Sequence, residues 1–122
     1  MSSGNISLLA LTVAAAGALE ASRFVTQAGA YPSAGAAAFG VTRTSAAAAG
    51  DLVPVDVYGT AIVEAGALIT KDAALMVDAT GRVVPLTSGG KAPVARAMDA
   101  AAAAGDFIEV LLVPGAGLVT AA

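Results

Sequence analysis

Apolar positions along this chain come in short runs, each cut off within a few residues by Gly, Pro or a small polar residue. No stretch holds the i, i+3, i+4 spacing of an amphipathic helix for long. The runs are rich in Val, Ile and Leu, and several alternate with polar residues, as in an all-β barrel or sandwich. They predict strands near 6–14, 21–27, 38–43, 52–63, 67–70, 73–78, 82–86, 93–98 and 106–113. Segment 28–37 (AGAYPSAGAA) reads as a loop from its Gly, Pro and Ser content. Asp78-Ala79-Thr80-Gly81 has the composition of a hairpin turn, and Ser88-Gly89-Gly90 that of another loop. The apolar run 6–19 is shorter than the roughly 20 residues of a membrane-spanning helix. The preceding MSSGN lacks the basic residues of a signal peptide. Ile6, Leu8 and Val13 are β-prone, so an opening strand is the better reading.

Two alanine runs interrupt the strand pattern. Ala46–Ala49 and Ala100–Ala104 are made of the best helix former but are too short to be stable alone. Ser45 or Asp99 fits an N-cap, and Gly50 or Gly105 a left-handed stop. A single helical turn is expected at each, giving an all-β barrel or sandwich-like domain with short helical turns at the alanine runs. The two places also form an internal repeat, VTRTSAAAAGDLVPVDV (41–57) and VARAMDAAAAAGDFIEVLL (94–112). The repeat aligns Gly50-Asp51 with Gly105-Asp106, and Val53, Val55, Val57 with Ile108, Val110, Leu112. Those six side chains should share a core-facing strand face. Pro54 on the opposite face cannot donate to a ladder and suggests an edge strand. Leu111 and Val113 make the last strand apolar on both faces, as in a strand that is central or covered by another subunit, or one that packs a small second core layer.

Composition narrows the function classes. Only 12 % of the 122 residues are charged, against about 25% in an average soluble domain. A surface so poor in charge points to apolar patches of the kind that mark association sites, the alternative being that much of the 57 % hydrophobic content is weakly apolar alanine. The six cations are scattered, and the net charge of −3 opposes binding to nucleic acid, which needs clustered Lys and Arg. The chain has no Cys and no His, which removes disulfides, thiolate nucleophiles, Cys/His zinc sites and Ser-His-Asp triads.

What remains for chemistry is carboxylates, and Asp51, Asp72, Asp78, Asp99 and Asp106 all flank Gly or Ala turns. Turn chemistry accounts for them. Gly90-Lys91 resembles the end of a phosphate-binding loop, but Ala92 replaces the required Ser/Thr and Pro85 the first glycine. Gly115-Ala116-Gly117 resembles a dinucleotide fingerprint, but Thr120 stands at the third glycine. No catalytic, cofactor-binding or metal-binding residue is assigned, and the chain is read as a non-enzyme without a cofactor. Of the five aromatics, Phe24, Phe39 and Phe107 lie in apolar strands and read as core. Tyr31 is the best contact candidate, with local packing the preferred role.

Several segments taken together carry a family resemblance. They are Phe39-Gly40-Val41 before an alanine turn, Gly50-Asp51 opening a Val-rich strand, and Tyr58-Gly59 followed by Val63-Glu64-Ala65-Gly66. The hairpin Val77-Asp78-Ala79-Thr80-Gly81-Arg82-Val83 and the closing Gly105-Asp106 with Val110-Leu111-Leu112 complete the set. In this order and spacing the chain resembles the capsid cement, or head decoration, proteins of tailed bacteriophages over roughly residues 10–114. The resemblance implies a structural protein on the outer surface of the virion, made in the host cytoplasm. It also implies a homotrimer that bridges neighbouring major capsid protein subunits, with no nucleic-acid or membrane partner. It carries no catalytic residue across. The expected organisation is an arm or first-strand lead-in at 1–9, a β-rich decoration domain at 10–114 and a flexible tail at 115–122. The runner-up is a stand-alone β-rich binding module, for example for carbohydrate, which the scarcity of aromatics disfavours.

Overall fold

The computed structural model describes residues 6–87 and 91–113. Its elements are eight strands: β1 (Ser7–Ala14), β2 (Phe24–Val25), β3 (Gly40–Thr42), β4 (Leu52–Glu64), β5 (Ala74–Val77), β6 (Val83–Pro85), β7 (Ala95–Ala97) and β8 (Phe107–Leu112). They form one antiparallel sheet in the order β2-β3-β4-β8-β7-β5-β6, with β1 also paired to β4. Ends that would otherwise be open are tied together. The Phe24 N–H donates to the Gly81 carbonyl at 2.8 Å, and the Glu64 N–H to Ser22 at 3.0 Å. The sheet therefore curls into a small, nearly closed all-β barrel.

The predicted hairpin forms as expected. The Asp78 carboxylate Oδ1 accepts the N–H groups of Thr80 and Arg82, and the Asp78 N–H donates to the Arg82 carbonyl. Partial burial raises the Asp78 pKa. The Thr80 and Arg82 hydrogen bonds and the Arg82 charge together outweigh this and hold it below its ordinary value of 3.8. The Ser88-Gly89-Gly90 loop lies outside the described residues.

β4 is the organising strand. Its first half pairs with β1 on one side and β3 on the other, and its second half pairs with β8. The register shifts between the halves, at the approach to Tyr58-Gly59. Gly59 has φ +104°, and a Cβ there would collide with the Ile6 carbonyl oxygen. Only glycine fits a left-handed conformation against so close a backbone.

The repeat read from the sequence extends over the whole barrel. In the first half the Ala15 N–H donates to Asp51 at 2.8 Å, and in the second the Ala65 N–H donates to Asp106 at 2.7 Å. Leu19 and Ala46 exchange two backbone bonds, as do Ile69 and Ala101. Pairing follows the same rule: Val13↔Val53 matches Val63↔Ile108, and Val25↔Gly40 matches Leu75↔Ala95. Ser22 and Asp72 share a left-handed backbone, with φ of 62° and 72°. Early positions thus repeat 50 residues on (15 to 65) and later ones 55 residues on (46 to 101). The added length lies between β5 and β7, where β6 is inserted. β1 of the first half corresponds to the second half of β4, and β8 corresponds to the first half of β4.

Each half has its own core. Val13, Ala15, Leu19, Val25, Ala46, Val53 and Val55 fill the first. The second gathers Ala61, Val63, Ile69, Leu75, Val77, Val83, Ile108, Val110 and Leu112. Phe24 and Val41 reach into it from the first half. Five of the six side chains expected to share a core face are buried, and Val57 is half-buried.

Three expectations need correction. The alanine runs are not helical. Pairing of Ala46 to Leu19 and of Ala101 to Ile69 fixes each run in an extended bridge, leaving too few residues before the glycine to nucleate a helix. The cap also comes from the other side. Asp51 Oδ2 accepts the N–H groups of Ala47 and Ala48 at 3.0 and 3.2 Å, and Asp106 Oδ2 those of Ala102 and Ala103 at 2.9 and 3.3 Å. Pro54 does not mark an edge, because β4 is flanked by β1 and β3. Its missing donor is tolerated just past the end of β3, where the Pro54 carbonyl accepts the Arg43 N–H. Segment 67–70 contributes one bridge at Ile69 rather than a strand.

Candidate interaction surface

Most of the acids with a defined partner serve structure. Asp51, Asp78 and Asp106 hold turns, Asp99 accepts the Glu109 N–H, and Asp72 pairs with Arg96 at 3.1 Å. Glu64 joins the halves. Its Oε1 takes two bonds from Arg23, at 3.2 and 2.9 Å, and its Oε2 lies 3.6 Å from Arg82. Arg82 reaches on to Asp78 at 3.3 Å. Most of this network is shielded from water, so it orients the halves more firmly than an exposed pair would. Beside the seam, a recess of about 240 Å³ is lined by Ser22, Val41, Thr42, Arg43, Asp56 and Ile62. Its buried Asp56 has Arg43 as its salt-bridge partner, at 3.5 Å.

Tyr31 packs locally. Its hydroxyl accepts the Glu20 N–H at 2.8 Å, and the Arg23 guanidinium lies over its ring. Phe24 is core and Phe39 packs against the first core. Phe107, expected in the core, is 59 % exposed. It opens β8 on the face opposite Ile108, and strand alternation turns it outward. β8 is central, between β4 and β7, yet Leu111 on the same outer face is 49 % exposed.

A run of exposed apolar side chains lies on β1. Leu8, Leu9 and Leu11 are 66 %, 48 % and 41 % exposed, and Ile6 precedes them. Leu9 lies opposite the exposed Tyr58, and Leu11 opposite the buried Val55. The core face of β1 therefore runs out of the barrel onto its rim without a change in character. Residues 6–14 (ISLLALTVA) carry no charge. Among the described residues no strand pairs with the outer edge of β1. Because the Ala15 N–H points to β4, alternation turns the N–H groups of Thr12 and Ala14 to that open edge. Natural edges are usually short, charged or covered. Gly29 meets this edge at the Ala14 carbonyl, and the uncharged apolar stretch before it, beside an exposed apolar rim, is a surface built to be covered.

A small, duplicated β-barrel with many of its acids holding turns and with exposed apolar side chains on β1, its rim and β8 has the character of an assembly protein. The sequence model of the phage cement protein family matches residues 2–112, and the chain belongs to that family. It is a capsid cement, or decoration, protein, a structural component of the phage head surface. Among solved structures it is similar to the N base of the head fiber protein gp8.5 of bacteriophage phi29. The TM-score is 0.68 at 19% identity, over 86% of this chain and 93% of that one. No curated protein matches the chain.

Proposed function

We propose that this cement protein bridges neighbouring major capsid protein subunits as a trimer and grips them through β1 and the rim beside it. The open, uncharged β1 edge with exposed Leu8, Leu9 and Leu11 carries this reading. A clamp needs complementary apolar area, and the rest of the barrel holds that area rigid. Each contact need not be strong, because many copies on one lattice add their effects. Residues 6–9 form the lead-in to this surface and the β-rich domain follows from residue 10, while the rest of the expected arm at 1–5 and the expected tail at 115–122 lie outside the described residues. Converting Leu8 and Leu11 to Lys should leave the melting temperature within a few degrees, because both side chains are exposed. Occupancy on matched heads should fall about tenfold or more. Deleting residues 2–6 should weaken binding in the same direction. Full occupancy for the Lys variant would remove β1 from the capsid contact.

A further inference from the structure

The recess beside the seam holds a carboxylate that the fold leaves short of partners. The Asp56 side chain is 3 % exposed, and its Oδ1 accepts no hydrogen bond among the described residues. Its salt-bridge partner, the Arg43 guanidinium, stands 3.5 Å away and is 46 % exposed. That exceeds the about 2.7–2.9 Å of a charge-assisted hydrogen bond. By contrast, Arg23 reaches Glu64 with two bonds, at 3.2 and 2.9 Å. A carboxylate removed from water without hydrogen bonds costs the fold stability, and a distant, half-hydrated guanidinium returns little of it. The repeat places Leu111 at the position equivalent to Asp56, so the barrel architecture itself does not call for an acid there.

The surroundings of Asp56 suit one kind of guest. Val41 and Ile62 supply an apolar wall, and the Ser22 hydroxyl, which makes no hydrogen bond among the described residues, supplies a second acceptor. The recess, at about 240 Å³, exceeds the roughly 30 Å³ share of a single water. No group of three or more acids lies together among the described residues, so a divalent cation would lack its usual oxygen ligands. A guanidinium seats best on both carboxylate oxygens at once, and Arg43 already faces Oδ1. A lysine fits better. Its compact ammonium carries three donors for the carboxylate and the hydroxyl, and its apolar stem can lie along Val41 and Ile62. Asp56 is also the ladder partner of Ala10 in β1, where Ala10 and Thr12 are exposed and uncharged. The recess therefore lies one strand from the surface assigned to the capsid.

We propose that this recess receives a lysine side chain of the capsid surface, its ammonium group seated on the Asp56 carboxylate beside Ser22. The inference rests on the capsid-binding reading above and deepens it. β1 supplies apolar area, and Asp56 supplies a charged contact that fixes position. Arg43, half in water, gives way as the ammonium enters.

Two measurements test this. Ile62 is one of four isoleucines, with Ile6, Ile69 and Ile108, so its methyl signal is readily assigned in the labelled full chain. Millimolar n-butylammonium should shift that signal saturably, n-butanol should not, and Asp56→Asn should abolish the shift. On matched heads, Asp56→Asn should lower occupancy about tenfold or more while melting at or above the parent temperature, because it removes a poorly paired buried charge. An Ile62 signal that ignores butylammonium, or moves equally with butanol, would show a recess that holds only water and overturn the proposal. Parent-level occupancy for Asp56→Asn would overturn it too, as would a variant that melts well below the parent, since Asp56 would then serve the barrel. Heads left bare by the parent protein would contradict the capsid role instead, and the methyl titration reads the recess independently of that.

Discussion

At the residue scale, the duplicated aspartates are the most informative small feature. Asp51 and Asp106 each satisfy two N–H groups of an alanine turn whose glycine has φ of 91° or 97°. Replacing either by Ala should cost about 1 kcal/mol, the usual loss for a carboxylate that caps exposed backbone donors. The two costs should be nearly equal if the halves are equivalent, which chemical denaturation can measure. Asp78 adds a dependence on pH. Its pKa in the folded state lies below the ordinary 3.8, so the stability it contributes is fully present above that pH. That contribution is lost as pH falls through the depressed value. Asp78→Asn should therefore flatten the acid limb of the stability curve below about pH 4. An unchanged acid limb would show that the hairpin carboxylate is not held as described.

At the scale of elements, Gly59 is the joint that lets one strand serve both halves. Gly59→Ala should destabilise the barrel by about 2 kcal/mol or more, combining left-handed strain with the clash against Ile6. Hydrogen exchange should localise the disturbance to the start of β1, and uniform loosening would contradict that role. Much of the strand pattern was legible because Val, Ile and Leu alternate inside clear Gly and Pro punctuation. The repeat was visible only where Gly-Asp recurs. Its first elements, 15–25 and 65–75, share backbone geometry with few common side chains. The alanine runs misled because propensity favours helix, and the bridges to Leu19 and Ile69 that overrule it are long-range. The exposure of Phe107 was hidden for a similar reason, since an apolar strand does not declare which face is covered. The sequence points to an arm or first-strand lead-in at 1–9, but the openness of the β1 edge appears only once β4 is seen to pair it on one side.

At the scale of the whole molecule, low charge, duplication and the open edge point the same way. A barrel with two cores joined by the Arg23–Glu64–Arg82–Asp78 network is a stiff unit. Its surface chemistry is that of an interface. The central claim is that this cement protein holds neighbouring capsid subunits together on the outside of the head. The most direct test is to add the purified protein to matched, undecorated heads and image them by electron cryomicroscopy. The account predicts added density at three-fold and quasi-three-fold positions, spanning adjacent major capsid protein subunits with β1 against the shell. Heads that stay bare at saturating protein, or density that sits within one subunit without bridging to the next, would contradict it.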